Sequence, residues 1–321
     1  MKASSLLARL LNSLVVMVLV ALITFLLIDL APGSYVDDLA SNPQISRATL
    51  DRIRDQYGLD QPFYRQFWRW CRSLAAGDLG DSFVYQRPVR QLLAERLGNT
   101  VLLNLAALTL AWLAGFSLGL AAAARRNSAI DWLVGAITTT LLSTPGVVVA
   151  IVLLASAARF GLPIGGLSAA GRESMGQASR LVDLARHLLL PALAVAAVWA
   201  PAIAQHTRAA VVAALDAPHM IAAQARGVGR ARLVLVHALR EALNPLTSFF
   251  GLSVSGLVSA SLVVEVVMAW PGIGALTYDA VLKRDMFLVV DLVQLSALLL
   301  LVGNLIGDVL LGLADPRTAT A

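Results

Sequence analysis

Long apolar runs separated by polar segments divide the chain into blocks of membrane-spanning length. A transmembrane helix needs about 20 mostly apolar residues, and six runs in the sequence reach or approach that length. These runs are Leu10 to Leu30, Val101 to Ala124, Trp132 to Ala158, Leu188 to Gln205, Leu246 to Val264 and Phe287 to Leu313. The pattern predicts an all-α integral membrane protein with six transmembrane helices. The first run exceeds the apolar part of a signal peptide and lacks a small-residue cleavage site, so we interpret it as a retained helix.

The composition supports a membrane protein. Hydrophobic residues make up 58% of the chain and charged residues 14%, whereas soluble domains carry about 25% charged residues. We attribute the net charge of +5 to topology and to anionic lipid rather than to nucleic acid. The single cysteine, Cys71, excludes an intrachain disulfide and a metal site built from cysteines.

The distribution of Lys and Arg in short loops predicts the orientation, because such residues concentrate on the cytoplasmic side. With the amino terminus inside, the inner segments contain Lys2, Arg9, Arg125, Arg126, Arg208, Arg226, Arg230, Arg232, Arg240 and Arg317. The short outer loops contain only Arg159, Arg172, Arg180, Arg186, Lys283 and Arg284. Both termini are therefore predicted to be cytoplasmic. The expected divisions are a first transmembrane helix (1–31), an extracytoplasmic helical segment (32–98), a transmembrane core of five helices (99–314) with an inner loop at about 216–245, and a cytoplasmic tail (315–321).

The outer segment shows three helical patterns. Ser46 is placed to cap a helix that runs to Tyr57, and a second helix is expected to open at Pro62. An amphipathic stretch begins at Pro88 and is expected to lie in the membrane interface until Asn99. The aromatic residues of the second helix are interpreted either as a small core on the membrane surface or as a docking surface for a substrate-delivery protein. They are Phe63, Phe67 and Trp70.

The polar, arginine-rich stretch from Ala222 to Pro245 is longer than a simple return through the membrane requires. Asp216 is expected to cap a helix that has Pro218 in its first turn, and Gly227 is expected to end that helix in a left-handed conformation. A second helix would run from Arg230 toward Leu243 until Pro245 stops it. One face would contain Leu235, Leu239 and Ala242, and the exposed face Arg232, His237 and Arg240. Two short helices at an angle would form a rigid docking element; the alternative is an amphipathic hairpin on the membrane surface.

Polar residues within the apolar runs are costly and indicate candidate functional positions. Ser143, Thr144, Pro145 and Gly146 are expected to kink or unwind the third run, a geometry that often lines a cavity. Gly251, Ser255 and Ser259 form a small-residue stripe that suits either helix packing or a pore lining. Asn304 and Asp308 are expected to form interhelical hydrogen bonds. The candidate translocation path comprises Ser143, Pro145, Ser255 and Ser259.

The sequence gives little support to a catalytic function. Neither lysine, Lys2 nor Lys283, lies in a phosphate-binding loop of the form GxxxxGK followed by Ser or Thr. Gly115 to Gly119 matches the GxSxG motif of hydrolases, but that motif works on a strand-to-helix turn, and the same residues suit helix packing. An intramembrane serine hydrolase built on Ser117 is the alternative from a different class. The histidines lie outside the usual metal-binding motifs.

The inner loop resembles the EAA loop of bacterial ABC importer permeases, with Ala222 and Ala223, a glycine four residues on at Gly227, and the later Pro245. The whole chain resembles the dipeptide/oligopeptide/nickel permease family in particular. The matching motifs are Asp29 to Gly33, Tyr57 to Pro62, Gly77 to Gly80, Arg87 to Val89, Glu95 to Thr100, Ala269 to Gly274 and Asp315 to Arg317. The departures from the family pattern are Ile221, Gln224, Ser34 and Tyr35.

This resemblance implies a permease subunit of an ATP-driven importer in the bacterial inner membrane, forming half of the path for short peptides or similar small solutes. It implies a second homologous permease in a heterodimer, two ATP-binding subunits that hold ATP and Mg, and an extracytoplasmic solute-binding protein. The chain itself is expected to bind no cofactor or metal and to catalyse no reaction. Import of nickel or a metal chelate is the alternative within the family. The implied ATPase-coupling residues are Ala222, Ala223, Arg226, Gly227, Arg240 and Pro245.

Overall fold

The regular structure of the chain is helical throughout the part that can be described. The computed structural model describes residues 3–31, 33, 40, 46–57, 61–168 and 176–314. Within these ranges, strand-type pairing is limited to an isolated antiparallel bridge between Asp81 and Pro88. The predicted all-α fold is therefore confirmed.

The helices follow the apolar runs closely but extend beyond most of them. In chain order they are α1 (Ala3–Leu30), α2 (Arg47–Tyr57), α3 (Phe63–Ala75), α4 (Val89–Ala124), α5 (Ala129–Ser143), α6 (Gly146–Arg159), α7 (Gln177–Leu215), α8 (Pro218–Ala225), α9 (Arg230–Arg232), a π-helical segment (Leu233–Ala238), α10 (Leu239–Val267), α11 (Ile273–Leu282) and α12 (Met286–Ala314). The sequence did not predict α11. Residues 32, 34, 35, 58–60 and 315–317, which belong to the family resemblance, lie outside the described residues.

Five of the described helical stretches are long and apolar enough to cross a membrane, and a bent pair makes a sixth if it counts as one span. The bent pair is α5 and α6, and the chain direction changes by 106° between them. The bend falls at Thr144 and Pro145, where the sequence predicted a kink. Thr144 has an extended backbone and Pro145 precedes the first residue of α6, as expected because proline disfavours the helical conformation in the residue before it.

The described residues form two compact units. The first contains residues 100–271 and the part of α12 from residue 299. The second contains residues 4–99 and 272–298. The division falls inside α4 and inside α12, so each of these helices contributes to both units.

The core of the first unit is built on α7, which packs against α5, α6 and α10. Pro191 and Pro201 are buried inside α7 and do not end it. Small residues allow close contacts between helices: a Cβ atom on Gly251 of α10 would lie 2.5 Å from the Cα of Gly307 in α12. Tight packing of this kind is typical of membrane helices, where van der Waals contact is a main source of association.

The second unit is built around Trp70 of α3. This indole packs against Phe25 of α1 and Val290 of α12, and its Nε1 donates a hydrogen bond of 2.8 Å to Asp291. Ser82 donates a second buried bond, to Asp285. These contacts join α1, α3 and the first turns of α12 within the unit.

Two of the three helical patterns in the predicted outer segment are confirmed. Ser46 caps α2 through a bond of 3.2 Å from the Thr49 backbone N–H, and α3 begins directly after Pro62. The amphipathic stretch after Pro88 is not a separate helix, because α4 continues without a break from Val89 to Ala124. The prediction of a separate helix that ends before Asn99 was therefore wrong: the sequence near Gly98 contains no residue that forces the helix to end.

Candidate coupling site and translocation path

The short helix α8 has the ends that its sequence predicts. Pro218 occupies its first turn, and Gly227, two residues beyond its end, has a φ of +86°. The Gly227 N–H donates to the Gln224 carbonyl at 2.9 Å and the Val228 N–H to the Ala223 carbonyl at 3.2 Å. This pair of hydrogen bonds forms the Schellman motif, in which a left-handed glycine ends a helix.

The predicted cap of α8 at Asp216 was wrong. Ala217 occupies the cap position without a side-chain bond, and Asp216 instead follows the last residue of α7. Its carboxylate accepts two bonds from Arg126, at 2.8 and 3.0 Å. A charge-assisted bond to a guanidinium is stronger than a bond to a neutral backbone N–H. The Asp216 carboxylate therefore pairs with Arg126 rather than capping α8.

The prediction that Pro245 stops the second helix was also wrong. The helix α10 begins at Leu239, passes through Pro245 and ends at Val267. A proline removes one backbone bond from a helix interior, but such losses are tolerated in membrane helices. Ala242 and Leu246, on either side of the proline, are both buried in one apolar cluster. This packing holds the helix together across the defect.

The buried face upstream of Pro245 differs from the predicted one. Leu235 is 56% exposed, whereas Leu233 and Val234 are buried. The cause is the π-helical segment, since an extra residue in the turn rotates the faces relative to a regular α-helix. Exposure of the polar face, predicted from the sequence, is confirmed for Arg232, His237 and Arg240.

We call residues 218–238, from α8 through the π-helical segment, the knob. Its interior is apolar: Met220, Leu233 and Val234 are buried together with Val211 of α7 and Ala123 of α4. The knob is therefore packed onto the ends of two long helices. A short helix held in this way moves with its support rather than independently of it.

Polar contacts connect the knob to its neighbours at two points, and a further ion pair lies beside it. His219 of α8 lies 3.1 Å from the Glu241 carboxylate of α10. The Arg230 side chain donates to the Ala124 carbonyl at the end of α4, at 3.2 Å. The Arg126 pair with Asp216 connects the loop after α4 to the end of α7. Because the knob reaches α4 and α10 through these bonds and α7 through its apolar interior, a displacement of the knob would be transmitted to three long helices.

The opposite surface of the knob is open. Ile221 is 58% exposed, and Ala222, Arg226 and Gly227 are exposed beside it. Among the other implied coupling residues, Ala223 is half-buried, and Arg240 and Pro245 are exposed. The surface combines an apolar patch with arginine side chains, as is typical of protein contact sites.

The candidate path residues have different surroundings. Ser143 and Pro145 are exposed at the bend between α5 and α6, and Ser259 is exposed on α10. Ser255 is buried and donates a bond of 2.5 Å to Asn304 of α12. This bond confirms the expected interhelical role of Asn304 and shows that Ser255 takes part in packing. The side chain of Asp308 lies outside the described residues.

A cavity of about 850 Å³ lies along α5 and α7, and sequence reasoning missed it. An ion pair faces it: Arg208 of α7 donates two bonds to Asp131 of α5, at 2.5 and 2.8 Å. The Asn127 backbone N–H donates a third bond to the same carboxylate. Gln205 contributes an amide to the wall and bonds Thr138 at 3.3 Å. The cavity is lined by Asn127, Ser128, Asp131, Trp132, Gly135, Ala136, Thr139, Gln205 and Arg208.

The sequence contained one signal for this cavity. Asp131 begins an apolar run, and a charged residue in such a run needs a partner or water. Its partner lies 77 positions along the chain, too far for local patterns to identify.

The hydrolase-like motif is a packing surface. Gly115 and Gly119 of α4 lie against the backbone of Ala200 and Ala204 in α7. Ser117 lies in the middle of α4, on an exposed face, rather than on a strand-to-helix turn. The packing interpretation of the motif is confirmed, and this geometry gives no support to a serine nucleophile.

The two histidines of α7 contact an acidic and an aromatic side chain, respectively. His187 lies 3.2 Å from Asp183, and His206 stacks on Phe249 with ring centroids 3.9 Å apart. In the described part of the chain, no group of three or more His, Cys, Asp or Glu side chains is arranged to hold a metal ion.

Known protein families and individual proteins match this chain along nearly its whole length. Residues 115–320 match the model of the family "Binding-protein-dependent transport system inner membrane component", and residues 3–104 match the model of its N-terminal region. The oligopeptide transport system permease protein AppB of Bacillus subtilis is 32% identical over 98% of this chain and 99% of its own. The glutathione transport system permease protein GsiC of Salmonella paratyphi A is 34% identical over 97% of both chains.

A solved structure shares the fold. A chain of the MetNI methionine ABC transporter, in an inward-facing conformation, aligns with a TM-score of 0.51 and 19% identity. The alignment covers 69% of this chain and 97% of that one.

The fold and these matches define the inner-membrane permease class of ABC importers. The chain belongs to the family of binding-protein-dependent transport system inner membrane components. It is a multi-pass membrane protein and a transport subunit. Systems of this class include ATP-binding subunits and a substrate-binding protein, and their ATP is used by the partner subunits.

Proposed function

We propose that this chain forms half of the translocation path of an importer for short peptides or similar small solutes. The support comes from relatives that match over nearly the full length and are named for oligopeptide and glutathione transport. Both of those solutes are chains of amino acids joined by amide bonds. A path for this class of solute must accept both charges and the amide groups of a small peptide.

The knob is the observation on which the proposed mechanism depends. Its exposed residues Ala222, Arg226 and Gly227 form the surface that an ATP-binding subunit would bind, and Arg240 and Pro245 are exposed farther along the chain, on α10. Its buried side and polar contacts reach α4, α7 and α10. Closure of the ATPase would therefore move the knob. The long helices packed against the knob, which line the path, would move with it.

The proposed assembly has a second, homologous permease as the other half of the path, in a heterodimer. Two ATP-binding subunits hold ATP and Mg on the side of the knob, and a solute-binding protein delivers cargo on the other side. Both termini of this chain lie in the cytoplasm in this arrangement, consistent with the Lys and Arg bias of the short loops.

The path in this chain runs along the α5–α7 cavity and the bend at Ser143 and Pro145, with Ser259 as a further lining residue. Asp131 and Arg208 give the cavity one anionic and one cationic group, and Gln205 adds an amide. Ion pairs inside membrane proteins usually face the bundle interior or a water-filled cavity. Ser255 supports the wall through its bond to Asn304.

Transport by the reconstituted complex tests this function. Proteoliposomes containing both permeases, the ATP-binding subunits and the binding protein are expected to accumulate a labelled peptide only when ATP is supplied. The full complex with Arg226→Asp is expected to retain peptide binding by the binding protein and to lose uptake. Peptide uptake by this chain alone, without an ATPase, would contradict the proposal.

A further inference from the structure

We propose that the outward face of α3 is a binding surface for the headgroups of anionic phospholipids. The contacts described for this helix, to α1 and α12, lie within the second unit. Phe67 and Trp70 lie on a face of the helix that packs inside the unit, whereas Tyr64 and Trp68 are exposed.

One face of α3 is fixed inside the unit. Phe67 and Trp70 pack against Phe25 of α1, with ring centroids 5.6 and 5.7 Å from that ring. Trp70 also bonds Asp291 of α12. The helix is therefore held in a fixed orientation by α1 and α12.

The opposite face combines exposed aromatic rings with cations. Trp68 is 72% exposed and Tyr64 is 56% exposed. Arg65 and Arg72 are exposed as well, and positions that differ by three or four share a helix face. Arg69 lies on this face and donates to the Gln61 side chain at 2.8 Å. The sequence of α3 contains no Asp or Glu, so every charged side chain of the helix is positive.

The contacts of α3 place it at the level of the membrane interface. Phe25 lies about five residues before the end of α1, and Asp291 about five residues after the start of α12. Five helical residues correspond to roughly 7.5 Å. Since α3 touches both spans near the same ends, it lies within roughly one headgroup layer of where they leave the apolar region.

The chemistry of the face suits this position. Tryptophan and tyrosine concentrate at the boundary between lipid and water. Arginine pairs with phosphate oxygens through two donors and can extend its charged end toward water while its stem covers apolar surface. An amphipathic helix with both groups on one side binds anionic lipid surfaces. An anionic headgroup fits the charge of α3 better than a neutral one.

A spin label attached at position 64, in place of the exposed Tyr64, tests the proposal in the full-length chain. The background carries Cys71→Ala, which removes the only cysteine, and Tyr64→Cys then provides a single labelling site. The labelled chain is placed in nanodiscs of phosphatidylcholine with or without phosphatidylglycerol. We expect headgroup-level accessibility to oxygen and to an aqueous nickel reagent, and lower label mobility when phosphatidylglycerol is present.

Charge variants separate lipid binding from a general effect on folding. Arg65→Gln with Arg72→Gln is expected to weaken phosphatidylglycerol binding roughly tenfold or more, from the contribution of each basic residue near an anionic surface. Arg65→Lys with Arg72→Lys is expected to retain most of the binding. Arg47→Gln with Arg52→Gln removes two exposed arginines from α2 and is expected to leave binding unchanged.

Two results would overturn the proposal. One is a label with the same mobility and full aqueous accessibility in both lipid compositions. The other is immobilisation only after the solute-binding protein is added, which would make this face of α3 a docking surface for that protein.

Discussion

Gly227 has a left-handed backbone conformation and lies on the surface proposed to couple this chain to the ATPase. Its φ of +86° costs a residue with a Cβ roughly 1 to 2 kcal/mol, although open space surrounds the position. Gly227→Ala is therefore expected to loosen the end of α8 and to lower ATP-driven uptake in proteoliposomes.

Gly229 provides a matched control two positions away. It has a φ of −62°, which any residue adopts, and a Cβ at this position would meet no atom within 4 Å. Gly229→Ala is expected to transport like the unsubstituted chain. Equal loss of uptake in both variants would show that the left-handed conformation is not what matters.

The ion pair between Asp131 and Arg208 is expected to contribute to the stability of the chain. Arg208→Gln removes the guanidinium partner of the buried Asp131 and leaves it the bond from the Asn127 N–H. The substitution is expected to lower stability by about 1 to 3 kcal/mol. Thermal unfolding of the purified chain in detergent measures this change.

Two variants check the cause of that loss. Asp131→Asn combined with Arg208→Gln should recover part of the stability, because no unpaired buried charge remains. Arg126→Gln breaks the exposed pair with Asp216 and should cost less than about 1 kcal/mol. An equal loss for both arginines would contradict the role of burial.

At the scale of single residues, the sequence predicts what depends on near neighbours. The left-handed Gly227, the first-turn Pro218 and the capping Ser46 were all recognisable from local rules. Asp216 and Asp131 were not, because each bonds an arginine brought close by the fold, 90 and 77 positions away respectively.

At the element scale, the contact between α10 and α12 predicts a strong dependence on glycine. A Cβ on Gly251 would overlap the Gly307 backbone, and overpacking of this kind costs about 1 to 3 kcal/mol. Gly251→Ala is therefore expected to lower the unfolding temperature in detergent.

Gly135 of α5 is the control for that substitution. No atom lies within 4 Å of its Cβ position, so Gly135→Ala should leave stability unchanged or raise it, since alanine favours a helix over glycine. An equal loss at both positions would show that helix contact is not the cause.

Helix existence was predictable from apolar periodicity, and helix ends often were not. Proline rules predicted the bend between α5 and α6, yet they failed at Pro245, where Ala242 and Leu246 are held in one cluster. The exposure of Leu235 depends on the π-helical segment, for which the sequence offered no signal. At Pro245, tertiary packing therefore overrode a local preference.

At the scale of the whole molecule, the fold class and the family could be predicted from the sequence because membrane-length runs and the EAA-like loop are both local patterns. The α5–α7 cavity could not, because its walls come from residues far apart in the chain. The position of the knob on α4, α7 and α10 likewise depends on packing that only the structure reveals.

Crosslinking across the exposed face of the knob tests the proposed mechanism most directly. In a chain with Cys71→Ala, Arg226→Cys is assembled with the ATP-binding subunits and treated with a short thiol-to-amine crosslinker. We expect a crosslink to the ATPase that changes in yield with ATP, and none from Arg90→Cys in the predicted outer segment. The absence of any ATPase crosslink from position 226 in an assembled, ATP-hydrolysing complex would contradict the mechanism.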